Sequence, residues 1–251
     1  MFLNKNKAFT LAEVLIVLAI VGIIAAITIP SLINAYNRKM LETRFRKTDA
    51  ILTQAMRMAS NELGVDSFEV YNNVPLEERE ATTEMLNDVW EKQFKGATKH
   101  YRKDIIAYIN NGRDYRSWGR LPVADFRGPS GFNYADLMYD TVNKSYALIL
   151  PDGSMISSPT FPDTVTMKIV FDTNGPWVGP NKLGYDVFVY LNNVHSNYNA
   201  CGPLSSGTYQ TFGCYKQAHI NQNPYDKNIG WWSSLYKSKS WWENLKNNSS
   251  K

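Results

Sequence analysis

The residues able to do chemistry are few and far apart in this chain. Three histidines, His100, His195 and His219, are scattered, and no G-x-S-x-G, H-E-x-x-H or phosphate-loop pattern accompanies them. A triad assembled by folding needs no such motif, but nothing in the pattern asks for an enzyme. The two cysteines, Cys201 and Cys214, lie in a polar, glycine-containing stretch without a C-x-x-C spacing. In an exported domain a disulfide is their simplest pairing, with a redox pair or a metal site as the alternatives. Such a loop would contribute about 3 kcal/mol if unstrained. Asp172, Asn174, Asn181 and Asp186 gather oxygen donors around a Gly- and Pro-rich turn, the donor type calcium takes. Without a complete calcium-loop pattern, the commoner reading is turn chemistry by Asn-Gly and Asp. No cofactor is expected, calcium being the one candidate.

A single acidic residue stands out instead. The run from Phe9 to Ile29 is apolar apart from two threonines and one charge, Glu13. As a helix it would be about 31 Å long, matching the hydrocarbon core of a bilayer. A carboxylate inside such a span is costly and normally has a partner. Removal of the residues through Ala8 would leave the α-amino group of Phe9 as a cation four positions away, or on a neighbouring subunit. Otherwise Glu13 lies at interface depth and faces water or headgroups. Ala19, Gly22, Ala25 and Ala26 recur at three- and four-residue spacing, so that helices could approach closely in an apolar medium. Pro30 removes a backbone donor and is expected to kink or locally melt the helix.

The elements that must position these residues follow from composition and periodicity. The chain has 251 residues, 44% hydrophobic, 13% aromatic and 20% charged, with a net charge of +4. This excludes a disordered chain, and gives no compositional sign of a nucleic-acid binder. Mean hydropathy is −0.35, so the apolar content is concentrated in the N-terminal block. Lys5 and Lys7 precede that block and favour an N-in, C-out insertion; Arg38, Lys39, Arg44, Arg46 and Lys47 on the far side argue against it. A long domain is translocated largely regardless of such charges.

Beyond Pro30, Leu41, Phe45, Leu52, Met56, Ala59 and Leu63 form one apolar stripe, which Gly64 should end. Pro75 opens a second helix through about Phe94, with Leu86, Trp90 and Phe94 on one face and Glu77, Glu78 and Glu80 at its start. Loops with short strands are expected from His100 to Tyr139. Pro151, Asp152 and Gly153 between two apolar runs predict a hairpin. Val165 to Asp172 and Tyr185 to Leu191 alternate and should each bury one face, through Met167, Ile169 and Phe171 and through Val187, Val189 and Leu191. The expected class is α+β, a long helix packed on an antiparallel sheet.

The C-terminus carries Trp231, Trp232, Trp241 and Trp242 with Tyr225, Tyr236, Lys237, Lys239 and Lys246. Exposed, these rings could stack on carbohydrate or nucleobases; the more usual fate is packing on the domain itself or on a neighbouring subunit.

The segment KAFTLAEVLIVLAIVGIIAAITIP resembles the prepilin N-terminus of type IV pilins and type II secretion pseudopilins. The matching features are a short basic leader, Phe9 after the processing site, Glu13 at the fifth mature position, the apolar span and Pro30. Ala8 departs from the glycine most common there. The resemblance implies a leader over 1–8, a membrane and assembly helix over 9–29, its amphipathic continuation over 30–63 and a pilin-like globular domain over 64–251. It further implies cleavage between Ala8 and Phe9 by a prepilin peptidase, methylation of Phe9, and a platform protein and ATPase for assembly. The subunit would be single-pass in the inner membrane, with its domain periplasmic or extracellular, and would join other pilin-like subunits in a pilus or pseudopilus. Glu13, Gly22 and Pro30 would serve assembly, and Cys201 and Cys214 would close a C-terminal loop. The alternative is a minor pilin whose aromatic C-terminus binds surfaces, DNA or carbohydrate.

Overall fold

A computed structural model describes residues 10–65, 75–101, 145–160, 167–178, 184–192, 214–237, 240–241 and 244–245. Ala8, Phe9, Asn181, His195, Cys201, Lys239, Trp242 and Lys246, the start of the strand expected at Val165, and the loops expected between Arg102 and Tyr139 lie outside these residues. The chain divides into two compact units, Met1–Met40 and Leu41–Lys251.

Helix α1 runs from Leu11 to Leu63. In the first unit its side chains are largely exposed: Leu15, Ile16, Leu18, Ile24 and Leu32 are all more than half accessible. The helical backbone continues uninterrupted through Pro30, so the local melting considered for that position does not occur. Proline costs the helix one donor there, while the residues on both sides keep the ladder.

In the second unit α1 presents the expected stripe. Leu41, Phe45, Leu52 and Ala59 are buried, and Met56 and Leu63 pack partly buried against the same core. Gly64 ends the helix at φ +67°, with its N–H donating to the Asn61 carbonyl at 3.2 Å and the Val65 N–H to that of Ser60 at 3.0 Å. These two bonds satisfy carbonyls that the helix end leaves open, and the left-handed conformation is one that glycine adopts without strain.

A 3₁₀ turn, Leu76–Glu78, leads into α2, Arg79–Lys92. Leu86, Trp90 and Phe94 are buried as their spacing predicts. The Trp90 indole N–H reaches the Ser157 carbonyl at 3.1 Å, which fixes α2 against the sheet.

The sheet is an antiparallel meander of β1 (Thr98–Tyr101), β2 (Tyr146–Ile149), β3 (Met155–Ser157), β4 (Met167–Asp172) and β5 (Val187–Asn192), each strand beside the next. The predicted hairpin joins β2 to β3. Gly153 takes φ +87°, the Gly153 N–H bonds the Leu150 carbonyl at 2.9 Å, and Asp152 accepts from the Ser154 N–H and hydroxyl at 3.0 and 2.6 Å. Gly175, at φ +83°, sits over this turn: a Cβ there would lie 2.1 Å from the Gly153 carbonyl oxygen.

Two expectations about the strands need correction. First, β4 is buried on both faces rather than one, and so are the hairpin strands β2 and β3. Second, β5 turns Phe188 toward the helix-facing core, with Tyr190 packed partly buried beside it, whereas Val187, Val189 and Leu191 are buried outside that cluster. The pairing explains the second point: Phe171 lies opposite Phe188 and Ile169 opposite Tyr190, and directly opposed residues share a face.

At the centre of the core is Phe45, fully buried. Its ring lies 4.7 Å from Phe188, 5.3 Å from Trp232, 5.8 Å from Phe171 and 5.9 Å from Tyr215. Within this unit the helix packs on the sheet, giving the α+β, pilin-like layout expected.

Candidate functional site

The N-terminal helix start is built by Thr10 and Glu13. The Thr10 N–H and hydroxyl both donate to Glu13 Oε2, at 2.8 and 2.9 Å, and the Glu13 N–H donates to Thr10 Oγ1 at 3.3 Å. This reciprocal arrangement is a capping box, with threonine before the helix and glutamate three residues on. The T-x-x-E spacing announces it, although the sequence reading above treats Glu13 as a charge alone. Both of the Thr10 donors converge on Oε2, no other described residue bonds the carboxylate, and the side chain is exposed.

Below the cap, Gly22 belongs to the small-residue series. A Cβ added to it would meet nothing within 4 Å, so no contact among the described residues calls for glycine there. Thr28 returns its hydroxyl to the Ile24 carbonyl at 2.9 Å, which removes that polar group from an otherwise apolar surface. The helix is long and apolar enough to cross a membrane, and none of its most apolar window is buried.

In the second unit the weak calcium candidates divide. Asp172 Oδ1 accepts the N–H groups of Asn174 at 3.1 Å and Gly175 at 3.0 Å, and the Asn174 amide donates to the Val178 carbonyl at 2.7 Å. This is the Asx-type turn that Asp and Asn-Gly favour. Asp186 is buried, and its carbonyl accepts from Thr173 at 2.9 Å. Among the described residues no three His, Cys, Asp or Glu side chains converge as a metal would require.

Among the described residues the aromatic C-terminus is largely packed into or against the core. Helix α3 spans Tyr215–Ile220 and α4 spans Trp231–Ser234. Trp231 is fully buried and donates its indole N–H to the Gly184 carbonyl at 3.1 Å, while Trp232 is buried against Phe45 and Phe188. The Tyr236 and Tyr185 hydroxyls lie 2.8 Å apart. The idea that Trp231 and Trp232 are exposed stacking platforms is therefore wrong: their rings fill the space between sheet and helix. Cys214 is fully buried at the start of α3.

A polar cluster absent from the sequence reading ties α3 to α1. Asp49, 6% exposed, accepts the Tyr215 hydroxyl on Oδ1 at 2.6 Å and faces His219 Nδ1 through Oδ2 at 2.9 Å. The Arg46 guanidinium donates to the His219 carbonyl at 2.7 Å. Burial, and then the Asp49 charge, push the Tyr215 phenol well above its ordinary range. His219, alone in the sequence, is thus held by residues on α1. Among the described residues no nucleophile bonds the imidazole, and the cluster ties the two helices together.

Residues 3–29 match a family model described as the prokaryotic N-terminal methylation motif, the prepilin cleavage signature of type IV pilins and pseudopilins. No curated protein and no solved structure matches the chain.

Proposed function

We propose, with the prepilin-type segment at residues 3–29 as premise, that this chain is the precursor of a structural subunit of a type IV pilus or type II secretion pseudopilus. A prepilin peptidase cleaves between Ala8 and Phe9 and the new terminus is methylated. The apolar helix then holds the subunit in the inner membrane with its second unit on the exported side. Assembly driven by a platform protein and an ATPase transfers that helix from lipid into a packed bundle of like helices. The match at residues 3–29 carries this reading.

The geometry of the helix start supports a role for Glu13, and the resemblance implies roles for Gly22 and Pro30. Thr10 fixes one oxygen of Glu13 and leaves the other for a cation, the α-amino group of Phe9 on a neighbouring subunit. Neutralising that carboxylate removes the cost of a charge in an apolar bundle and sets the axial register. Gly22 gives a neighbouring helix close access, and Pro30 allows the helix to bend as it packs. No described cysteine is free, and we assign Cys201 as the partner of Cys214.

The test is filament incorporation of Glu13→Ala beside the wild type. The variant should be processed and inserted in the membrane but recovered poorly in filaments; normal incorporation would overturn the pairing role.

A further inference from the structure

Two tyrosines of the second unit meet at their hydroxyl ends. Tyr185 stands just before β5 and Tyr236, 51 residues later, just after α4; their oxygens are 2.8 Å apart, their ring centroids 6.2 Å apart and their planes inclined by 51°. Both rings are half-buried at the margin of the core, so a small solute can reach them. The Trp231 indole, which donates to the Gly184 carbonyl at 3.1 Å, holds α4 to the chain immediately before Tyr185.

This contact brings together the positions at which phenols couple. When a phenol loses an electron and its proton, the unpaired electron is shared among the oxygen and the ring carbons ortho and para to it. In tyrosine the para carbon carries the side chain, so the ortho carbons, next to the hydroxyl-bearing one, are where two such radicals join. Rings that meet at their hydroxyls set these carbons side by side. Tyr190 and Tyr215 provide the contrast: their centroids are closer, 5.4 Å, but the rings lie edge to face at 85°, and the buried Tyr215 hydroxyl is turned to Asp49.

We propose that Tyr185 and Tyr236 form an oxidative cross-linking site, converted to a dityrosine by two equivalents of a diffusible one-electron oxidant. Each phenol passes one electron to the oxidant and its hydroxyl proton to water. The two radicals form one carbon–carbon bond between ortho carbons, and the hydrogen on each of those carbons moves to the oxygen of its own ring, which restores both hydroxyls. The rings of a biphenol are twisted about their bond, so the present inclination suits the product and the pair has only to close up. The new bond ties the end of α4 to the start of β5, and a cross-link over so long a stretch stabilises mainly by restricting the unfolded chain. This site is independent of the filament reading.

The test oxidises the full chain, dilute in detergent micelles, with a ruthenium(III) tris-bipyridine complex and maps biphenol-linked peptides by mass spectrometry. The main product within one chain should join Tyr185 to Tyr236, with the loss of two hydrogen atoms. Tyr236→Phe, which keeps the ring and removes the hydroxyl, should lose this product while retaining the wild-type circular dichroism. The cross-linked wild type should melt about 5–10 °C higher than the untreated protein, and Tyr236→Phe treated in the same way should not. The wild-type map decides by itself: cross-links spread equally over other tyrosine pairs, or tyrosine consumed without a Tyr185–Tyr236 product, overturn the site. A Tyr185–Tyr236 product that leaves the melting temperature unchanged overturns the stabilising tie.

Discussion

Among the described residues Glu13 is bonded through one carboxylate oxygen, so its capping role and its proposed pairing role can be tested separately. Thr10→Ala removes the hydroxyl that both accepts from the helix start and donates to Glu13. It should fray the first turn at a cost of about 1 kcal/mol, measurable as loss of amide protection at residues 11–14 in micelles, while the charge remains. The carboxylate was legible in the sequence because it is the single charge in an apolar run; the tie at Asp49 was not, because its hydroxyl partner is 166 residues away and only folding brings them together. Tyr215→Phe should cost about 1.5–3 kcal/mol in denaturant unfolding, since it removes a hydrogen bond from a buried carboxylate.

Asp152 adds a pH dependence at the same scale. Burial alone would raise its carboxyl, but the Lys47 ammonium and the two Ser154 hydrogen bonds more than offset this and hold it below the usual carboxylate range. A folded value below the unfolded one, near 3.9, means that this stabilisation is complete above about pH 4 and is lost as the pH falls through the folded value. The pair is partly exposed, so Asp152→Asn should cost only about 0.5 kcal/mol at neutral pH after solvent screening. The difference from wild type should shrink as unfolding is measured at successively lower pH below 4; a constant difference would contradict the pairing.

At the scale of elements, the parts governed by neighbours in sequence were the readable ones. The stripe on α1, the stop at Gly64, the face of α2 and the Pro-Asp-Gly hairpin each depend on spacing or turn chemistry within a few residues. The facing of β5 was not readable: in Val-Phe-Val-Tyr-Leu both alternate sets are apolar, so period alone cannot say which meets the helix. The pairing of Phe171 with Phe188 decides it. The nesting of two turns at Gly175 was likewise hidden, since it requires the β2–β3 hairpin and the loop after β4 to be adjacent in space. Gly175→Ala combines a positive φ with a Cβ 2.1 Å from a carbonyl oxygen, so it should destabilise by at least about 1–3 kcal/mol. Thermal unfolding would check it, with Gly22→Ala, whose Cβ meets nothing within 4 Å, nearly neutral for the folded domain.

At the scale of the molecule, one sequence carries two solvents' worth of surface: a helix segment that leaves its apolar residues exposed, and a unit that buries its own. Phe45 joins sheet, α1 and the C-terminal tryptophans within that second unit, and Phe45→Ala should cost about 3–5 kcal/mol. The assignment of Cys201 to Cys214 bears on the same unit: under reduction its stability should fall by about 3 kcal/mol. The prepilin segment was legible because it combines residue type, order and spacing over a short stretch, whereas what the second unit would contact in the proposed filament is a property of surfaces that no local pattern records.

The central claim is that the first eight residues are a leader and that Phe9 begins the working protein. Intact-mass and N-terminal fragment mass spectrometry of the protein recovered from membranes of a cell that has a prepilin peptidase tests it most directly. The expected result is a chain beginning at Phe9 with one added methyl group on its α-amino nitrogen. A chain that still begins at Met1 would contradict it.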